Sequence, residues 1–360
     1  MLRILIAGGG TGGHIFPGLA IAEAFKEKLA CDIRFAGTNR PIDQKVIPKA
    51  GYRLYTLSVS GLYRVGALKK FQSLLKLPFT FLQSFLILLF FRPHIVIGVG
   101  GYASGPILAL ALLLGKKTII QEQNAFPGLT NRLLGKWVDL AFVPFEGLER
   151  LFKNPVIVGN PLRKAIQDLA EQVDSRSWEK IFISVIGGSQ GANSINRTVT
   201  GALPDLVKLK DRITLFHQTG ENDFEEVREK YEKHKDLSSQ VVSFCEDMPD
   251  IYSKSHLVIC RSGSIINELI AAKRASILIP IAQSSGNHQL ENAKIMLSKN
   301  CALMIEQKDL TQKSLFKVIE DLVHEPEKIK SMGENAGKLN KGNAAKLIVE
   351  RILDILPKQR

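Results

Sequence analysis

The sequence predicts an α/β protein made of two Rossmann-like domains, each a doubly wound parallel sheet. Short apolar, β-branched runs recur with helical patterns between most of them, the alternation that buried parallel strands and their crossover helices produce. Two stretches open alike, a strand entering a glycine-rich loop and then a helix: "LRILIAGGGTGGH" at 2–14 and "IFISVIGGSQGAN" at 181–193. A length of 360 residues, 45% of them hydrophobic, favours two domains over one.

In chain order the strand-like runs of the first half are "LRILIA", "DIRFAG", "HIVIGV", "KTIIQ", "DLAFVP" and "VIVGN". The second half repeats the habit with "KIFISVIGG", "ITLFHQTG", "QVVSFC", "HLVICRSG" and "ASILIP". Between the two series, "GNPLRK" at 159–164 sets a glycine and a proline before a new unit, so the domains are expected at 1–160 and 161–342. A last helix, about 343–356, has no strand of its own to cover. Cys31, Cys245, Cys260 and Cys301 show no metal spacing and read as thiols of a reducing compartment. The apolar run after Met1 is too short for a signal-peptide core.

Charge is unevenly spread. Residues 1–160 carry 19 Lys+Arg against 8 Asp+Glu, and residues 161–360 carry 29 against 27. The first half therefore suits an anionic partner. No aromatic-rich basic stripe or zinc finger argues for nucleic acid.

The first glycine loop fits G-x-G-x-x-G through Gly8, Gly10 and Gly13. A dinucleotide site needs an acid at the end of the second strand for the ribose, and here Thr38, Asn39 and Arg40 stand there. NAD is therefore disfavoured, while the backbone N–H groups of Thr11, Gly12 and Gly13 at a helix start still suit an anion. Pro17 is expected in the first turn of that helix. His14, at the mouth of the loop, is the candidate catalytic group, since an ordinary imidazole titrates near neutral pH. A second loop, "GVGGYASGP" at 98–106, offers Gly100, Gly101 and Tyr102 to the same large phosphorylated ligand. In both loops a plainer reading competes, glycines that only shape a turn.

Residues 69–100 are the most hydrophobic part of the chain. The unbroken apolar core, Phe85 to Phe91, ends at Arg92-Pro93, far short of the roughly 20 residues of a spanning helix. Lys69, Lys70 and Lys76 precede it, and Leu75, Phe79 and Leu82 can share a face. The segment is either a buried core helix or one that lies on anionic lipid.

Taken in order, "GGGTGGHIFPGLAIA", "GVGGYASGP", "QEQNAFPGLTNR", "VGNPLR", "GGSQGANSIN", "HQTG", "CRSG" and "NHQLENA" closely resemble the MurG family of N-acetylglucosaminyltransferases. The resemblance implies the GT-B fold, with two Rossmann-like domains facing across a cleft and the last helix returning to the first domain. It implies inverting transfer of GlcNAc from UDP-GlcNAc to the C4 hydroxyl of an undecaprenyl-pyrophosphoryl muramyl-pentapeptide, at the cytoplasmic face of the bacterial membrane. The partners would be UDP-GlcNAc, that lipid-linked acceptor and an anionic membrane surface, with no cofactor.

The donor site implied by the resemblance lies in the second domain. Ser189 and Gln190 of "GGSQG" would meet the diphosphate, with Arg163 and Arg261 as charges near it and either able to touch phosphate. Gly263, Ser264 and Ile265 would bring helix N–H groups to the α-phosphate. Glu268 would take the ribose hydroxyls, Phe244 and Cys245 the uracil edge, and Asn124, Gln289 and Asn292 the donor sugar. His14 would be the general base, and no D-x-D motif near these residues suggests a metal. Two departures bear on Glu268: the segment before it is one residue short of the family pattern, and "AAKRAS" replaces "AAGLP". A sugar-nucleotide epimerase or hydrolase of the same plan is the alternative, and an NAD-linked oxidoreductase a weaker one.

Overall fold

The structure is a computed structural model and describes residues 1–59, 67–172, 175–188, 191–281 and 287–356, with the backbone alone for 67–75. It divides into two compact units, Met1–Lys164 with Lys341–Arg360, and Ala165–Asn340.

The first unit is a seven-stranded sheet built from β1 (Leu2–Ala7), β2 (Cys31–Thr38), β3 (Arg53–Leu57), β4 (Ile95–Gly98), β5 (Lys117–Gln121), β6 (Leu140–Val143) and β7 (Pro155–Ile157). Its helices are α1 (Gly12–Lys28), α2 (Pro41–Lys49), α3 (Ala67–Phe91), α4 (Ser104–Leu113) and α5 (Leu129–Leu134), with α6 (Lys164–Glu171) leading out of it. The strand order is β3-β2-β1-β4-β5-β6-β7, and every pairing is parallel. Alternation along β1 divides the core: Ile4 and Ile6 face a layer containing α1, while Leu5 and Ala7 face Leu88 and Phe91 of α3 and Ile107 and Leu108 of α4. Both faces of the sheet are covered, which is why its central strands read as unbroken apolar runs.

The second unit has a six-stranded parallel sheet of β8 (Ile181–Ile186), β9 (Ile213–Gln218), β10 (Ser239–Val242), β11 (Leu257–Cys260), β12 (Ala275–Leu278) and β13 (Ala302–Met304), ordered β10-β9-β8-β11-β12-β13. Around it lie α7 (Asn193–Leu206), α8 (Phe224–Glu232), α9 (Met248–Lys254), α10 (Ile265–Ala272), α11 (His288–Ser298), α12 (Gln312–His324) and α13 (Pro326–Lys338). The chain then re-enters the first unit as α14 (Ala344–Asp354), whose Ile348, Val349 and Ile352 are buried in the core beside α1.

Two details depart from the sequence expectations, and a third bears on the alternatives left open for residues 69–100. Strands β3 and β13 are not among the strand-like runs read from the sequence. Pro17 falls in the second turn of α1, not the first, because the helix already starts at Gly12; having no N–H, it cannot bond the Gly13 carbonyl. And α3 buries two hydroxyls beside Leu88 and Phe91 while leaving other apolar side chains exposed. Thr80 and Ser84 are buried, their hydroxyls turned back onto the carbonyls of Lys76 and Thr80, while Phe79, Leu82 and Phe90 are 54%, 53% and 80% exposed. No described helix is long and apolar enough to cross a membrane.

Candidate active site

In the first sheet the chain order reverses between β1 and β4, the place where open parallel sheets hold ligands. The two loops leaving these strands carry His14 on one side and Gly100 and Gly101 on the other. A Cβ on Gly100 would lie 2.8 Å from His14 Cδ2, and one on Gly101 2.6 Å from the Gly9 carbonyl oxygen. Both residues hold φ near the left-handed region, +92° and +81°. Only glycine lets the second loop close on the imidazole. The His14 Nδ1 is 3.2 Å from the Gly9 carbonyl and 3.1 Å from the Thr11 hydroxyl. A carbonyl only accepts, so this contact assigns the proton to Nδ1 and makes Nε2 the basic nitrogen. Thr11, Gly12 and Gly13 follow at the helix start, and Tyr102 is exposed beside Gly101.

Two buried carboxylates that sequence reasoning passed over hold this edge together. Asp43 accepts from the Gly10 N–H at 2.7 Å, the Thr38 N–H at 2.7 Å and the Thr38 hydroxyl at 2.8 Å. Arg40 donates to the Gly10 carbonyl at 3.0 Å, so Gly10 is gripped from both sides of its peptide unit. The only signal for Asp43 was an acid shortly beyond the second strand, in "RPIDQ". Glu122 accepts from the N–H groups of Gln123, Asn124 and Gly128 and from the side chains of Asn124 and Asn131, at 2.8–3.2 Å. Five donors satisfy it where water cannot reach. Asn124 is thereby fixed by its neighbour. Arg163 also belongs to this unit, with its guanidinium 5.0 Å from the centre of the Phe16 ring.

The second sheet reverses its order between β8 and β11. Ser189 and Gln190, in the loop after β8, lie outside the described residues. After β11, Gly263 and Ser264 lead into Ile265, the first residue of α10, so an α-helix N-terminus points from the switch point. Arg261 donates to the Ser194 hydroxyl at 2.6 Å, the Ile279 carbonyl at 3.0 Å and Gln307 Oε1 at 3.1 Å. Burial pulls its pKa down, and its Nε has no hydrogen-bond partner among the described residues. Glu268, in the first turn of α10, accepts from the Tyr252 hydroxyl at 2.7 Å.

Two of the three residues expected to face the donor sugar, Asn292 and Gln289, brace the loops around them. Asn292 is wholly buried and donates to the Ser262 carbonyl at 2.9 Å, so its amide supports the "CRSG" loop from beneath. Gln289 takes the Ile281 N–H at 3.0 Å, and its carbonyl takes the Ser262 hydroxyl at 2.7 Å. Phe244 is exposed; Cys245 is half-buried, and that burial pushes its thiol pKa up. The histidine of "HQTG" is core. His217 is fully buried between Tyr231 at 3.1 Å and Asn196 Oδ1 at 3.0 Å, and desolvation lowers its pKa to about 3. Asn196 spends its amide on the Thr219 carbonyl and on Asp223, so its oxygen accepts from His217 Nε2.

Residues 4–143 match the family model for the glycosyltransferase family 28 N-terminal domain, and residues 182–352 match that for its C-terminal domain. The chain belongs to glycosyltransferase family 28. Among its curated relatives is a Myxococcus xanthus protein, 42% identical over 99% of this chain and 94% of its own, named UDP-N-acetylglucosamine--N-acetylmuramyl-(pentapeptide) pyrophosphoryl-undecaprenol N-acetylglucosamine transferase. A Syntrophus aciditrophicus protein of the same name is 43% identical over 99% of both chains. The crystal structure of Acinetobacter baumannii MurG superposes with a TM-score of 0.80 at 26% identity, covering 99% of this chain and 100% of that one. As a family 28 member the protein is a glycosyltransferase, and its two parallel-sheet units are those of the GT-B fold.

Proposed function

We propose that this family 28 enzyme transfers GlcNAc from UDP-GlcNAc to the C4 hydroxyl of an undecaprenyl-pyrophosphoryl muramyl-pentapeptide, inverting the anomeric carbon in a single displacement. The observation that carries the reading is identity above 40% with transferases of that name over nearly the full chain. Membership of the family leaves the epimerase, hydrolase and oxidoreductase readings without support.

The second unit takes the donor. Helix α10 offers its N-terminal N–H groups at Gly263, Ser264 and Ile265 to the diphosphate, with Ser189 and Gln190 from the loop after β8; Glu268 holds the ribose, and Phe244 and Cys245 flank the uracil. Arg261, anchored to Ser194 and Ile279, stiffens the loop that carries these groups and adds charge beneath it. The negative charge that grows on the leaving UDP is met by fixed dipoles, so turnover is expected to survive a chelator without added Mg²⁺.

The first unit takes the acceptor. Thr11, Gly12 and Gly13 with Gly100, Gly101 and Tyr102 surround its pyrophosphate, and His14 Nε2 accepts the proton of the attacking hydroxyl. Asn124, fixed by Glu122, is assigned to the donor sugar. The exposed apolar side of α3, with Lys76 at its start and Lys69 and Lys70 before it, rests on an anionic membrane surface; the side chains of Lys69, Lys70 and Leu75 lie outside the described residues. Incubation with UDP-GlcNAc, with and without a short-chain lipid-linked acceptor, tests the assignment. A disaccharide product formed only with acceptor supports it, and release of free sugar or an epimer with the acceptor ignored overturns it.

A further inference from the structure

The amide that joins Gly9 to Gly10 is held at both ends. Its N–H donates to Asp43 Oδ1 at 2.7 Å, and its carbonyl oxygen accepts from His14 Nδ1 at 3.2 Å. The Thr11 hydroxyl, 3.1 Å from the same nitrogen, shares that proton as a second acceptor. No peptide bond among the described residues is cis, so the N–H and the carbonyl leave this amide in opposite directions. A carboxylate therefore stands at one end of a single peptide unit and the candidate base at the other.

The surroundings are shaped to that unit. A Cβ on Gly9 would collide with Asp43 Oδ2, and one on Gly101 would lie 2.6 Å from the Gly9 carbonyl oxygen. Gly9 and Gly10 hold φ +152° and +84°, conformations open to glycine. Asp43 is wholly buried, and its second oxygen takes the Thr38 N–H at 2.7 Å and the Thr38 hydroxyl at 2.8 Å. Three donors spread over both oxygens are the pattern of an ionised carboxylate.

Hydrogen bonds in series polarise one another. A negative charge at the N–H end makes the carbonyl a stronger acceptor, and a stronger acceptor at Nδ1–H favours the ring in its charged form. Buried, that charge is poorly screened. Among the groups on neighbouring elements, Arg40 opposes it from the Gly10 carbonyl but is exposed, and solvent screens it. Glu122 after β5 is spent on five donors, Arg163 lies over Phe16, and Tyr102 is the titratable side chain after β4. These stay in place when Asp43 alone is changed.

We propose that Asp43 is a positioning residue that acts on His14 through the Gly9–Gly10 amide, holding the proton on Nδ1 and raising the basicity of Nε2. Its effect on turnover rests on the reading of His14 as the general base; its effect on the ring does not.

NMR titration of the full-length protein with ¹³C-labelled histidine reads the ring directly, the His14 signal being the one that His14→Ala removes. Asp43→Asn keeps the shape and removes the charge, and is expected to lower the His14 pKa by about 0.5 or more. Thr38→Val loosens the same clamp but leaves the charge, and should move that pKa by less than about 0.2. In the parent protein the Gly10 amide proton should move downfield with the midpoint of the imidazole, a readout that needs no variant to fold. An unmoved His14 pKa in a cooperatively melting Asp43→Asn, equal shifts in the two variants, or a Gly10 amide indifferent to the imidazole overturns the coupling. In kinetics, the acidic limb of kcat/KM should move to lower pH in Asp43→Asn by the same amount as the ring. A ring pKa that falls while the limb stays put supports the coupling and removes His14 from the general-base role, so the two readings fail separately.

Discussion

His14 depends on a residue far away in sequence. The Gly100 backbone lies against its ring, and any side chain there would collide with Cδ2 at 2.8 Å. If Nε2 takes the acceptor proton, His14→Ala lowers kcat by about 10² or more while the affinity for UDP stays within about twofold. Gly100→Ala is expected to reproduce part of that loss by turning the imidazole, again at nearly constant UDP affinity. Steady-state kinetics alongside UDP titration separate the two numbers, and a near-normal kcat in His14→Ala removes the residue from the chemistry. His217 answers to a different measurement. Its folded pKa near 3 lies below the 6.5 of an exposed imidazole, so between those values the unfolded chain binds the extra proton. Stability is then full above about pH 6.5 and falls toward pH 3, by at most about 1.4 kcal/mol per pH unit from this group. Urea unfolding from pH 7 to pH 4 should show a shallower decline in His217→Gln than in the parent. Sequence inspection could single out "HQTG" but not its burial, because a histidine held between Tyr231 and Asn196 carries no local mark of its environment.

Elements show the same division between what periodicity announces and what only packing decides. The central strands were plain in the sequence since both faces of each are covered. Strand β3, "RLYTL", lies at the edge of its sheet with its arginine and threonine exposed and so shows no apolar run, and β13, three residues long, is an edge of the other sheet whose short apolar stretch "CALMI" was passed over. The glycine loops and the chain reversals that bring them together were legible as strand–loop–helix repeats. Asp43, Glu122 and Asn292 were not, because their work is to satisfy buried backbone groups of loops whose course depends on the whole sheet. The end of α10 provides a direct test of strain, since Lys273 there holds left-handed backbone at φ +56° and ψ 50° and lays its stem against Gly337 of α13. Left-handed backbone costs lysine about 1–2 kcal/mol, whereas glycine gives back about 0.4–1 kcal/mol through the entropy of the unfolded chain. Lys273→Gly is therefore expected to raise stability by roughly 0.5 kcal/mol, the difference between those two terms, read as a shift of the urea midpoint at unchanged m-value. A destabilised variant would mean that the lysine's contacts with α13 outweigh the strain.

On the scale of the molecule, charge and apolar surface are concentrated in the same half of the chain. Residues 1–160 are net +11 and also carry α3, which buries Thr80, Ser84, Leu88 and Phe91 but exposes Phe79, Leu82 and Phe90 among other apolar side chains. Such an outer face gains nothing from water. Contact with lipid would bury the rings, at about 25 cal/mol per Å² of apolar surface removed from water, and each lysine near an anionic leaflet adds about 1 kcal/mol. The two contributions respond differently to salt, since the Debye length is near 10 Å at 0.1 M and shortens as salt is added. Changing Lys69, Lys70 and Lys76 to Glu should therefore weaken binding to phosphatidylglycerol vesicles by about 10² or more at 0.1 M salt, and by less at 1 M. Phe79→Ser combined with Leu82→Ser should weaken binding by a factor that salt hardly alters, because apolar transfer does not depend on a screened field. Co-sedimentation of the full-length variants with the vesicles reads both factors. Binding that neither change affects would mean that α3 keeps its apolar side for something other than lipid, and would remove the membrane from the proposed function while leaving the transferase chemistry intact.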